Sequence, residues 1–169
     1  CSSCALDHVV INEVDYDQSN TDLAEFVEIF NATSGTVSLA NYKLILVDGT
    51  ANAPYGFVDL SPAVSLAPGQ YLVVGVPAVV AAAGALKVNF SGTMNQIQNG
   101  LSGGMGAPDG LALIDDAANT LIDAVSYEGG ITTADLSMWG LGTVSLVEGV
   151  ALHATVKDEA GGPLCPPPH

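Results

Sequence analysis

Apolar residues along this chain come in short runs rather than in helical spacing. The stretches "HVVINEVD" (8–15), "AEFVEIFN" (24–31), "YKLILVD" (42–48), "YGFVDL" (55–60) and "QYLVVGV" (70–76) are rich in Val, Ile, Leu, Phe and Tyr, and so are "GLALIDD" (110–116), "TLIDAVSY" (120–127) and "ALHATVK" (151–157). β-Branched and aromatic residues fit a pleated surface, and runs of this length suit strands. Some alternate: in "TLIDAVSY", Leu121, Asp123, Val125 and Tyr127 share one face, with Ile122, Ala124 and Ser126 on the other. Others are apolar on both faces, as central strands of a sandwich are. Turn residues separate the runs: "DG" at 48–49, "APG" at 67–69, "DDAAN" at 115–119 and "EGG" at 128–130. Many short strands with frequent turns predict an all-β sandwich. Its core is expected to bury Val10, Val14, Phe26, Ile29, Leu44, Leu46, Leu72, Val74, Leu113 and Val125. One short helix is expected over "PAVVAAAGAL" (77–86), with Pro77 in its first turn.

Composition narrows the function classes. Of 169 residues, 49% are hydrophobic and only 12% charged, which excludes a disordered chain. No uninterrupted apolar stretch approaches a membrane span, and the most apolar run, 73–86, contains Gly75, Pro77 and Gly84. Eighteen acids face three lysines and no arginine, for a net charge of −15. Binding to nucleic acid releases counterions only where cations meet phosphates, so nucleic-acid partners are not expected. Anionic membranes are disfavoured for the same reason. Cations, neutral surfaces and further copies of the chain remain as partners.

A strand-like pattern with the motifs Ile11-Asn12-Glu13, Glu25-Phe26-Val27-Glu28-Ile29-Phe30-Asn31, Leu66-Ala67-Pro68-Gly69-Gln70-Tyr71 and Asp109-Gly110, in this order, resembles a bacterial lamin-tail domain over about residues 9 to 130. The resemblance implies an immunoglobulin-like β-sandwich. It also implies a module of secreted or surface proteins, mostly non-catalytic, and in lamins part of a filament-forming protein. Residues 9–157 are then the sandwich, 1–8 a cysteine-containing extension and 158–169 a Gly/Pro-rich tail. Relatives of this kind carry a further polar segment near the end, so a closing strand is expected to be absent or supplied by a neighbour.

The densest chemistry lies in "INEVDYDQSNTDLAEFVEIFN" (11–31). Glu13, Asp15 and Asp17 are two apart and project from one face of an extended segment. With Glu25 from the next strand they form a candidate Ca²⁺ site, since crowded carboxylates repel and a hard cation relieves that repulsion. The alternative is a solvated or structural face. An EF-hand is excluded, because Asn20 stands where its loop requires Gly and Phe26 where it requires Glu. "GLSGG" (100–104) matches a nucleophile elbow in letters alone, since glycine loop flanks it instead of strand and helix. With His8, His153 and His169 scattered, no catalytic constellation is expected, and the chain reads as a non-enzyme.

The three cysteines, Cys1, Cys4 and Cys165, sit near the two ends. A Cys4–Cys165 disulfide tying the termini together is expected, which places the chain in an oxidising, extracellular compartment. Cys1 is left for intermolecular pairing or a lipid. Zn²⁺ on Cys1, Cys4, Cys165 and His169 is the competing arrangement. "NAT" at Asn31 and "NFS" at Asn89 match N-glycosylation sequons. Two functions follow: a secreted structural subunit that self-associates into a surface or fibre assembly, or a targeting module that binds a surface or glycan through Tyr127, Met138 and Trp139.

Overall fold

The computed structural model describes residues 7–18, 21–99 and 108–147. Its strands, in chain order, are β1 (Val9–Asp15), β2 (Phe26–Asn31), β3 (Val37–Ser38), β4 (Tyr42–Asp48), β5 (Ala53–Asp59), β6 (Ser65–Leu66), β7 (Tyr71–Gly75), β8 (Leu86–Asn89), β9 (Asp109–Asp115), β10 (Thr120–Tyr127), β11 (Ala134–Asp135) and β12 (Thr143–Val144). Two four-stranded sheets pack face to face as an immunoglobulin-like β-sandwich, the first ordered β1-β2-β7-β8 and the second β10-β9-β4-β5. β3 and β6 form a small ladder, as do β11 and β12. All pairings are antiparallel except β7 with β8.

The inner faces supply the main core. Val27 and Ile29 of β2, Leu44 and Leu46 of β4, Leu72 and Val74 of β7, Leu111 and Leu113 of β9 and Val125 of β10 meet there, all buried. Seven of the ten residues expected in the core are buried; Val10, Val14 and Phe26 are only half-buried. In β2 Ile29 is buried as expected, but Val27 takes the inward place expected for Phe26. Val27 and Ile29 point inward, while Phe26, Glu28 and Phe30 lie on the outer face. Phe30 pairs there with Tyr71 at a ring separation of 4.6 Å.

A second apolar cluster explains the strands that are apolar on both faces. Ile45 and Val47 of β4 and Ala112 and Ile114 of β9 face outward, yet each is fully buried. The segment 131–146 folds over them and contributes Ile131, Ala134, Leu136, Trp139 and Leu146. Trp139 sits in a 3₁₀ turn (Ser137–Trp139), and its ring meets Phe57 of β5 edge-on at 6.0 Å. The second sheet is thus covered on both faces.

The helix expected over 77–86 does not form. The connection instead makes two separate turns, with Val79 N donating to Val76 O and Ala85 N to Ala82 O. The Lys87 ammonium donates to the carbonyls of Val76, Pro77 and Val79, which satisfies them without a helical ladder. Val80 is exposed, so a helix here has no apolar stripe to bury. Gly84, at φ +92, breaks the run just before β8.

The open edges of the two sheets are treated differently at the two sides of the sandwich. On one side β1 lies beside β10. Both strands carry a bulge, between Ile11 and Glu13 in β1 and between Leu121 and Asp123 in β10. The Ile11 amide, freed at its bulge, donates to the Asp123 carboxylate at 2.7 Å. One carboxylate thereby ties the two sheets together and occupies an edge donor. On the other side β5 and β8 are both edges, and among the described residues no strand pairs with either from outside.

Candidate cleft between two sheet edges

The opening carboxylates separate into two groups. Glu13 and Asp15 lie on the outward face of the edge strand β1, where Glu13 pairs in register with Glu28 and Asp15 with Phe26. Partial burial and the charge of Glu28 push the Glu13 carboxyl up from its ordinary value. Asn12 relieves part of this crowding by donating to Glu28 at 2.8 Å. Asp17 is exposed in the turn that follows.

Asp22 and Glu25 face inward and are buried. Glu25 accepts the backbone amides of Gln96 at 2.7 Å and Ile97 at 2.9 Å. Asp22 accepts the amide of Gln18 at 2.8 Å and the side chain of Asn99 at 3.1 Å. Burial pushes the Glu25 carboxyl up, and the two amide bonds oppose it. Glu25 is therefore committed to a loop and is turned inward, away from the outer face that carries Glu13 and Asp15. No group of three or more His, Cys, Asp or Glu among the described residues is arranged to hold a metal ion.

The loop held by these carboxylates, 91–99, closes one end of the sandwich. Ile97 plugs into the core, 2% exposed. Two tyrosines pin Gln98 from opposite directions: its amide donates to Tyr55 Oη at 2.8 Å, and its carbonyl accepts from Tyr127 Oη at 2.8 Å. Burial raises both phenols, so both remain protonated at neutral pH. Tyr127 also stacks on Tyr16 at 4.3 Å. An acidic cluster that looks like a ligand set is thus half loop anchor and half edge-strand surface.

What the anchored loop builds is a wall. Between β5 and β8 lies an open cleft of about 550 Å³. Leu46, Val58, Val88 and Phe90 give it an apolar floor, and Asn95, Gln96 and Gln98 of the anchored loop line it with amides. Asp59 and Pro62 also line it. Gly56 contributes no side chain, which leaves the space over Leu46 open. Asp59 accepts the amide of Ser61 at 2.9 Å, and that bond holds its carboxyl below the usual value. Asparagine, glutamine and backbone edges surround the floor, with one permanent negative charge.

A family model for the lamin tail domain matches residues 3–129. The chain belongs to the lamin tail domain family. Lamin tail domains are non-enzymatic immunoglobulin-like modules, in keeping with this sandwich. The match ends at residue 129, so the covering segment 131–146 lies beyond it. No curated protein matches the chain.

Other expected sites resolve differently. Asn31 of the first sequon is fully buried, and its amide donates to the carbonyls of Gly35 and Leu66, both at 2.9 Å. It is a turn anchor with no amide hydrogen to spare for a glycan. Asn89 of the second sequon is exposed on β8. Tyr127 and Trp139, expected on a binding surface, are 2% and 7% exposed, and only Met138 of that set is open to solvent. Cys1, Cys4, Cys165, Ser102, His153 and His169 lie outside the described residues. Sequence reasoning missed the cleft because its parts are distant in the chain. The one local signal was Gly56 in an otherwise apolar strand, a position where a close approach of another backbone is to be suspected.

Proposed function

We propose that this lamin tail domain is a non-catalytic structural module that associates with further copies of itself outside the cell. The observation that carries the reading is the cleft between β5 and β8, where two sheet edges flank an apolar floor. Edge strands with unpaired N–H and C=O groups are templates for further strands. Proteins that stay monomeric usually blunt such edges with charge, bulges or covering chain. On the β1/β10 side Asp123 and two bulges do this, whereas on the other side β5 has one bulge, at Tyr55, beside Pro54. The β5/β8 side carries Asp59 as its single acid along the cleft. The net charge of −15 supports discrete contacts over lateral clumping. No helix among the described residues is long and apolar enough to cross a membrane. The extracellular setting is supported by the terminal cysteines and the acidity.

Sedimentation velocity of the full chain over a wide concentration range tests the reading. A sedimentation coefficient that rises with concentration supports it. A single monomer species throughout, in both oxidising and reducing buffer, sinks it. The cleft would then serve a different ligand, and the binding-module alternative would take its place.

A further inference from the structure

We infer that the cleft between β5 and β8 accepts residues 150–157, "VALHATVK", of a second copy of the chain as an added strand. The inference rests on the self-association proposed above and names its contact. Three observations point to this occupant. The first is the cleft itself, which is bounded by two sheet edges instead of by closed walls. An extended segment is the ligand that main-chain groups on such edges recognise, with apolar side chains entering the space between the sheets. The second is the pattern of the segment. Val150, Leu152, Ala154 and Val156 alternate with Ala151, His153, Thr155 and Lys157, so an extended conformation has one wholly apolar face for the floor and another that carries its three polar residues. The third is charge. His153 and Lys157 are two of only six basic side chains in the chain, three His and three Lys, and the cleft offers the ionised Asp59.

Gly56 provides the means of testing the acceptor side. A Cβ at this position meets only Leu46 Cδ1, at 3.4 Å, which is ordinary contact. A Cβ is therefore accommodated at Gly56, and Gly56→Leu extends an apolar side chain from it into the cleft. Leu152→Asp spoils the donor face, and Ala151→Asp places the same charge on the solvent face as a control. The full chain and each variant are run by size-exclusion chromatography with light scattering in reducing buffer, so that no disulfide contributes. The unique Trp139 reports folding in every sample by its emission.

The expected result is that the wild type and Ala151→Asp associate, while Gly56→Leu and Leu152→Asp each elute as folded monomers. Mixed together, the last two should give a one-to-one dimer that grows no further, since one copy keeps an intact cleft and the other an intact strand. If the wild type associates and both variants associate equally, this contact is overturned while self-association through another face survives. If both variants are monomeric and their mixture is too, the segment does not pass between copies, and the inference is again overturned. A wild type that never associates overturns the parent proposal and this inference with it.

Discussion

Replacing Glu25 with Ala removes the acceptor for two backbone amides, the buried one of Ile97 and the part-buried one of Gln96. An unpaired buried donor costs about 1–3 kcal/mol, and the part-buried one adds a smaller share, for about 2–5 kcal/mol in all. Part of this is returned, because burial already disfavours the charged carboxylate, as its raised pKa shows. A net loss of about 3 kcal/mol is expected, a large share of the ~5–15 kcal/mol typical of a domain. For a domain of this size that corresponds to a fall in Tm of about 10 °C. Glu25→Gln retains one acceptor oxygen but turns an NH₂ toward the other amide, so about half the loss or somewhat more is expected. Urea and thermal denaturation, each followed by Trp139 emission, measure both. The loss should be the same in millimolar Ca²⁺ and in chelator, since the carboxylate's partners are amides. A change in Tm below about 2 °C refutes the anchoring role. A loss that appears only when Ca²⁺ is present would show that a cation, and not the loop, is the partner of Glu25.

Further outcomes follow from the same contacts. Burial, with the charge of neighbouring Asp48, pushes the Asp109 carboxyl from 3.8 up to about 6. Its protonated form is favoured in the folded chain, so its contribution is fully present below about pH 4 and lost as pH rises through 6; up to about 3 kcal/mol is at stake. Urea midpoints should therefore be higher at pH 5 than at pH 7, and Asp109→Asn should flatten the difference. Trp139→Ala opens the cover over the second sheet and should cost about 3–5 kcal/mol by denaturant titration followed by circular dichroism. Asn31→Ala leaves the Leu66 carbonyl and the Thr33 amide without this partner, while the Gly35 carbonyl keeps the Thr33 hydroxyl, and a loss of about 2–4 kcal/mol is expected from thermal melts. Expressed in a glycosylating host, the chain should gain a glycan at Asn89 and none at Asn31, as peptide mass mapping would show.

The strands were legible because their signal is local. Val, Ile and Tyr runs bounded by "DG", "APG" and "DDAAN" mark β4, β7, β9 and β10 without knowledge of their partners. Facing was less legible in β2, where Phe26 and Val27 are both apolar and only pairing with Val14 and Val74 decides which turns inward. The helix at 77–86 misled because alanine propensity is a weak prior, and tertiary placement of Lys87 outweighs it. The cover at 131–146 left a trace in the chain. β4 and β9 are apolar on both faces, which requires something over the second face, but the sequence does not say what. The carboxylates were the hardest to read. Glu13, Asp15 and Glu25 look alike in the sequence, and only the position of residues 96 and 97, some seventy residues on from Glu25, makes one of them a buried anchor. Contacts that far apart in the chain carry no periodicity from which to infer them.

The account stands most directly on whether the lamin tail domain associates through its open side. Hydrogen exchange on the full chain, at low and at high protein concentration in reducing buffer, measures this residue by residue. The edge amides of β5 and β8 should exchange quickly in dilute solution and become protected as concentration rises, while those of β1, already engaged with β2 and Asp123, should not change. Protection at β5 and β8 that is independent of concentration, or a concentration effect confined to other strands, would contradict the account.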